Sequence, residues 1–317
     1  MKYAIETHHV GKTYRNGVEA LKDVSIQVEC GEIFCLLGQN GAGKSTFIHI
    51  LSTFFEPTKG EIKLFSEAVT SKNVHSLRRK IATVSQQISI DTYLSLKDNM
   101  LFQAELYGVS KEQAIQRMNE LIEGFQLEKY LNYPVSSFSG GIKRRLDIAL
   151  NLMSNPQLLF LDEPTVGMDI QSRREMWKMI RHIKEKMKTT IFLTTHYLEE
   201  AEQLSDTICI MKDGKILVQE TTAKIRDYFH ENMMAFKFST AKEAKEKYSL
   251  FRSGLTNYYR TISLKGEFII IYQYDEFDLN FFLQWIIDNN ISLIGVSLVY
   301  PTLEDIFVRI VGKENKS

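Results

Sequence analysis

The chain has 317 residues, 44% hydrophobic and 25% charged, with 39 basic residues against 39 acidic ones. That length predicts about two globular domains, each able to bury a core without disulfides. The charge balance argues against a protein that coats nucleic acid. Three cysteines, Cys30, Cys35 and Cys209, cannot build a disulfide framework; they are expected as small buried side chains in a reducing compartment.

No apolar run approaches the ~18 residues of a membrane span, and Met1–Glu6 lacks the apolar stretch of a signal peptide. The expectation is a chain that neither crosses a membrane nor leaves the cell by itself. In chain order, the first strong element is Ile33-Phe34-Cys35-Leu36-Leu37. It is short, continuously apolar and β-capable, as a parallel strand covered on both faces should be. Gly38-Gln39-Asn40-Gly41-Ala42-Gly43-Lys44-Ser45-Thr46 follows, and then a helical pattern over Ser45–Ser52. This is the P-loop pattern in the strand-to-helix context it requires. Gly38, Asn40, Gly41 and Gly43 form a cradle whose backbone N–H groups curl around phosphate oxygens, and the helix N-terminus adds donors and a positive dipole end. Lys44 supplies a point charge for the β and γ phosphates. The Ser45 hydroxyl suits Mg²⁺, and Thr46 reaches a phosphate.

Residues 92–133 read as an all-helical insertion, opened by Ser95 and Asp98 in the manner of a capping box. Leu158-Leu159-Phe160-Leu161 reads as a second buried strand. It delivers Asp162 and Glu163 at its C-terminal end, where such sheets bind ligands. Asp162 is placed to hold Mg²⁺ and Glu163 to polarise an attacking water. Ser172–Lys188 carries Met176, Trp177, Ile180 and Ile183 at helical spacing, and Thr190-Ile191-Phe192-Leu193 is a third buried strand. The strand–helix–strand order predicts an α/β fold with a parallel-sheet core. The basic runs Arg78-Arg79-Lys80 and Lys143-Arg144-Arg145 read as solvated faces.

Composition shifts near residue 220. Thirteen of the 17 glycines lie before residue 222, and the remainder is richer in aromatic packing residues. This predicts a boundary between residues 1–221 and 222–317. The second part reads strand 233–239, helix 241–249, strands 258–264 and 267–274, helix 278–289, strand 292–299, and a terminal helix from Leu303. Lys265-Gly266 suits a tight hairpin turn. The order βαββαβ is that of a ferredoxin-like α+β fold.

Ser137-Phe138-Ser139-Gly140-Gly141, between the P-loop and Asp162, completes a set of motifs. With them the chain resembles the nucleotide-binding subunit of an ABC transporter over residues 1 to about 220. The resemblance implies a P-loop NTPase with an N-terminal antiparallel β part. It makes 38–46 the Walker A motif, 158–163 the Walker B motif and 137–141 the signature. Tyr14 then stacks on adenine, Gln86 is the Q-loop glutamine that reaches Mg²⁺, Val166–Asp169 is the D-loop, and His196 is the switch histidine at the γ-phosphate. Ser139, Gly140 and Gly141 present donors to an ATP held by the opposite chain of a head-to-tail homodimer. Ile142 stands where the family usually has Gln, and Val166 where it usually has Ser.

The same resemblance implies Mg²⁺-dependent ATP hydrolysis by Lys44, Glu163 and His196. It further implies a separate multi-span permease, a site at the cytoplasmic face of the cell membrane, and no nucleic-acid partner. The surface from Gln86 to about Leu131 is the expected docking groove. Tyr300-Pro301-Thr302-Leu303-Glu304-Asp305-Ile306-Phe307 resembles the ending of bacterial drug- and antibiotic-export ATPases, which favours an exporter. The alternatives are an importer subunit, or a soluble ABC ATPase acting on ribosomes or in DNA repair.

Overall fold

The uninterrupted apolar runs become the middle of one six-stranded sheet in a computed structural model that describes residues 2–227, 233–256, 258–259, 261–272 and 279–299. Its strand order is Lys215–Thr221, Thr207–Lys212, Ile33–Leu37, Thr190–Thr195, Leu158–Asp162 and Ile81–Val84. All neighbours are parallel except the edge strand Lys215–Thr221, which returns antiparallel. Ile33–Leu37 and Leu158–Asp162 are buried along their whole length. That is the reason they lack polar alternation: helices or the second sheet cover both faces.

Phenylalanines anchor the phosphate loop from below. Phe34 and Phe160 lie against Phe192, with ring centroids 5.1 and 5.7 Å away. Phe47, from the helix Lys44–Leu51, meets the same ring at 6.2 Å. The helix that follows the loop is therefore fixed to the sheet by its own first turn.

Register sets where the chemistry emerges. Leu37 pairs with Thr195, Asp162 with Thr194, and Val84 with Leu161. Four strands end nearly level, so the residues that follow them, Gly38, His196, Glu163 and Ser85, emerge along one edge of the sheet. A second, antiparallel sheet is built on Tyr3–Thr13, which pairs with Glu19–Val24, Gln27–Glu29 and Lys59–Leu64. Its hairpin turn begins at Tyr14, whose N–H donates to the Val18 carbonyl at 2.9 Å.

The insertion is helical as expected, with helices Leu96–Leu106 and Lys111–Gly124. Ser95 caps the first by accepting the Asp98 N–H at 3.1 Å, and its hydroxyl donates back to the Asp98 carboxylate at 2.6 Å. The helix Gly140–Leu152 follows, capped by Ser139, which accepts the Ile142 N–H at 3.4 Å. The helix expected from Ser172 begins at Ile170, because Asp169 caps it through the Ser172 N–H at 2.9 Å.

The chain divides into two compact units, Met1–Thr222 and Ala223–Ser317. The second contains an antiparallel sheet in the order Thr261–Lys265, Phe268–Tyr272, Met233–Lys237, Gly295–Val299. With helices Ala241–Gly254 and Leu279–Asp288, this is the ferredoxin-like arrangement. Phe236, Phe251 and Phe282 pack between the helices and the sheet. The first helix runs five residues past its expected end, and the strand expected at 258 starts at Thr261. Tyr258 stacks on Phe281 and the Tyr259 hydroxyl donates to the Arg252 carbonyl, so these two serve as packing groups before the strand. The last strand starts at Gly295 rather than 292. The motif at Tyr300–Phe307 and the helix expected from Leu303 lie outside the described residues. Cys35 and Cys209 are buried as expected, but Cys30 is exposed in the turn after Gln27–Glu29.

Candidate functional site

The loop from Gly38 to Gly43 can only be built from glycine at its tightest points. A Cβ on Gly38 would lie 2.5 Å from the Met211 carbonyl oxygen. Gly43 adopts φ +107°, and a Cβ there would lie 2.7 Å from the Ala20 oxygen. Backbone thus approaches backbone where other residues would collide. The loop opens on a cleft of about 630 Å³ lined by Asn40, Gly41, Gly43, Lys44, Ser45 and Thr46. Tyr14, Gln86 and Glu163 also line it. The Tyr14 hydroxyl lies 3.0 Å from Thr46 Oγ1, and its ring meets Phe55 edge-on.

Lys44 is buried at the floor. Its ammonium donates to the carbonyls of Gly38 at 2.9 Å and Gln39 at 3.2 Å, and lies 3.2 Å from Glu163 Oε1. His196 Nδ1 is 3.3 Å from the same carboxylate oxygen. Glu163 sits at φ +48°, a left-handed conformation that is uncommon outside glycine. Its N–H is shared between the Thr194 carbonyl at 3.2 Å and the Thr194 hydroxyl at 3.1 Å. That hydroxyl donates in turn to Asp162 Oδ1 at 2.6 Å. Thr194 therefore links the Asp162 carboxylate to the Glu163 backbone N–H through one side chain, and the strand pairing of Thr194 with Asp162 places it there.

Ser139, Gly140 and Gly141 line a different cleft, of about 330 Å³, against Val166–Asp169 and Ser172. Gln86 and Glu163 border both clefts. One chain thus brings together the predicted phosphate-loop residues, Tyr14, Gln86 and Glu163, and reaches Asp162 and His196 through Thr194 and Glu163. The signature residues face the second cleft instead. The departure at Ile142 leaves the cap intact, because Ser139 uses the backbone N–H of that residue.

Three contributors were not legible in the sequence. Thr194 is one of three threonines in the strand Thr190–Thr195, and nothing in the pattern singles it out. Arg144, expected on a solvated face, is only 4% exposed. It is buried because it finds a carboxylate three residues on, Asp147 at 3.2 Å, and three backbone carbonyls. Burial lowers the Arg144 pKa and raises that of Asp147, and each opposes the shift of the other. Its neighbour Arg145 is mostly covered too and pairs with Glu175 at 3.3 Å. Glu200 looks like an ordinary acid in a first helical turn, yet it is fully buried. It accepts from the Thr165 hydroxyl at 2.8 Å and the Trp177 indole at 3.1 Å, and burial pushes its pKa up.

Comparison with known proteins agrees with this geometry. The ABC transporter family model matches residues 21–166. The daunorubicin/doxorubicin resistance ATP-binding protein DrrA of Streptomyces peucetius is 37% identical over 252 residues, covering 80% of this chain and 76% of that protein. A Nod factor export ATP-binding protein I of Bradyrhizobium diazoefficiens is 33% identical over 312 residues, 98% of this chain and 97% of its own. An ATP-binding cassette solved as a dimer in a post-hydrolysis state with ADP and Pi superposes with a TM-score of 0.61 at 27% identity, over 69% of this chain and 98% of that one. A P-loop cassette fold, the assembled cleft and relatives of one kind lead to one conclusion: the chain belongs to the ABC transporter family, as an ATP-binding and ATP-hydrolysing subunit.

Proposed function

We propose that this chain powers export by a separate membrane permease, through ATP-driven head-to-tail pairing of two copies at the cytoplasmic face of the membrane. The carrying observation is the split of the site between two clefts. Phosphate-loop residues line one and Ser139–Gly141 line the other. A nucleotide held at Lys44 would then be completed by the signature of the opposite copy. The export direction is supported by relatives named for drug resistance and Nod factor export. Among the described residues no helix is long and apolar enough to cross a membrane. Exposed Tyr93, Phe102 and Leu106, between Gln86 and Leu131, supply an apolar surface for a permease. Residues 1–221 are read as the engine and 222–317 as an accessory domain.

Within the engine, Tyr14 packs on the base and the Gly38–Gly43 loop cradles the phosphates. Asn40 and Gly41 are part of that cradle, and Thr46 reaches a phosphate. Lys44 leaves its backbone carbonyls and Glu163 for the β and γ phosphates, a stronger partner for a buried ammonium. Glu163, freed of that pair, orients water, and His196 contacts the γ-phosphate. Ser45, Gln86 and Asp162 are hard oxygen donors and suit Mg²⁺, which takes few protein ligands and keeps phosphate oxygens and water. Bound there, Mg²⁺ would offset phosphate charge. Phosphoryl transfer of this kind needs positioning and charge neutralisation more than covalent chemistry.

The test is Glu163→Gln in the full chain. It removes the carboxylate and keeps the shape, so ATP should bind, persist unhydrolysed and hold a dimer on size-exclusion chromatography with light scattering. A variant that stays monomeric with saturating ATP would sink the sandwich.

A further inference from the structure

Arg144 lies in the helix Gly140–Leu152, just past the signature residues, and its guanidinium is buried. Nη1 donates to the Ser85 carbonyl and to Asp147 Oδ2, the latter at 3.2 Å. Nη2 donates to the Asp162 carbonyl at 3.3 Å, and Nε to the Pro164 carbonyl at 3.3 Å. These acceptors are not scattered. Ser85 immediately precedes Gln86, and Asp162 and Pro164 stand on either side of Glu163. One planar group therefore holds the peptide before the first residue, the peptide before the second, and the carbonyl of the residue after it.

Chemistry makes this more than packing. A guanidinium offers five donors in a rigid fork and stays charged. Burying that charge is expensive, and an apolar side chain would fill the space at lower cost. Asp147 offsets the charge, but the other three of its four partners are neutral carbonyls, so charge neutralisation alone does not explain where the fork points. Glu163 also needs restraint, because its φ of +48° is a conformation that persists only when surroundings over-determine it. Thr194 holds the Glu163 N–H from one side, and Arg144 holds the neighbouring carbonyls from the other. Asp147 belongs to the same cluster, since its carboxylate accepts from Arg144 at 3.2 Å. The loop that begins at Ser85 and carries Gln86 is thereby tied to the signature helix at its start.

We propose that Arg144 is a positioning residue for hydrolysis, a fork that sets Gln86 and Glu163 together from the signature helix. A shift of that helix then reaches both residues through one side chain. This rests on the roles given above to Glu163 and Gln86, and the controls separate the two.

The experiment uses the full chain and Arg144→Lys, which keeps the charge and loses the fork. The expected result is a fall in kcat of about 100-fold, the scale of a small misplacement. KM and ATP affinity should stay within about threefold, because ground-state contacts are kept. In a Glu163→Gln background the same change should cause no further loss of the residual rate. Hydrogen exchange should quicken at 85–89 and 162–167 together and stay unchanged in the Tyr3–Thr13 sheet. Asp147→Asn, which loosens the fork without removing it, should lower kcat by about tenfold. The inference is overturned by an unchanged kcat, by losses additive with Glu163→Gln, or by exchange that rises throughout the chain with a falling melting temperature. If Glu163→Gln itself hydrolyses ATP at the parent rate, the site reading fails. If only Glu163→Gln loses activity, the clamp alone fails.

Discussion

Lys44 and Glu163 face each other at 3.2 Å in a nearly closed setting, and His196 approaches the same carboxylate. Their residue types were legible in the sequence, because a P-loop lysine and a Walker B acid serve one chemistry. Their mutual pairing was not, since 119 positions separate them along the chain and only sheet register brings them together. Glu200 carries a prediction at this scale. Burial is the leading cause that raises its pKa above 4.5, opposed by hydrogen bonds from Thr195, Thr165 and Trp177. The folded chain therefore keeps this proton to higher pH than the unfolded chain does. From pH 4.5 up to that raised value, stability falls as pH rises, because the native state binds more protons. Glu200→Gln keeps an acceptor for Thr165 and Trp177 and removes the charge. Thermal melts at a series of pH values from about 5 to 8 should show a flatter profile for the variant; an unchanged slope would remove Glu200 as its source.

Helices and their caps are local, and the sequence carried them well. Ser95 with Asp98 announced the insertion helix, and the structure closes both bonds between them. Ser95→Ala should cost about 1 kcal/mol in denaturant unfolding, with ATP affinity unaltered. A loss of ATP binding comparable to the loss in stability would mean that the insertion shapes the cleft directly. Strand limits were less legible. Leu158–Asp162 runs one residue past its apolar stretch, and Thr190–Thr195 runs two. Their last residues are polar because they face the site, so the hydrophobic pattern stops before the hydrogen bonding does. Arg144 departs from its expected solvated position for a related reason. A basic run resembles a solvated face until a partner such as Asp147 and three buried carbonyls are placed around it.

At the scale of the whole molecule, the two clefts make a prediction that neither could make alone. Lys44→Ala damages the phosphate-loop half and Ser139→Arg blocks the signature half, so each homodimer should be inactive. Mixed in equal amounts, the two variants should regain ATP turnover, because a mixed dimer pairs one intact phosphate loop with one intact signature. Turnover that stays at background after mixing, with each variant folded by circular dichroism, would show that both halves serve the same chain. The neutral balance of 39 charges of each sign leaves such a dimer without strong self-repulsion.

The sequence by itself determined the chemistry and the local structure of this protein. Glycine spacing, Lys44, Ser45, Asp162 and Glu163 carry the phosphate site proposed above because few other residues can do those jobs, and apolar runs specify buried strands because burial on both faces forbids alternation. Tertiary structure decided what depends on register and on distant burial. It levelled four strand ends so that Gly38, Ser85, Glu163 and His196 share an edge, and it joined Asp162 to Glu163 through Thr194. It also turned Arg144 and Glu200 inward, because only the assembled fold supplies the carbonyls and hydroxyls that make burying a charge tolerable.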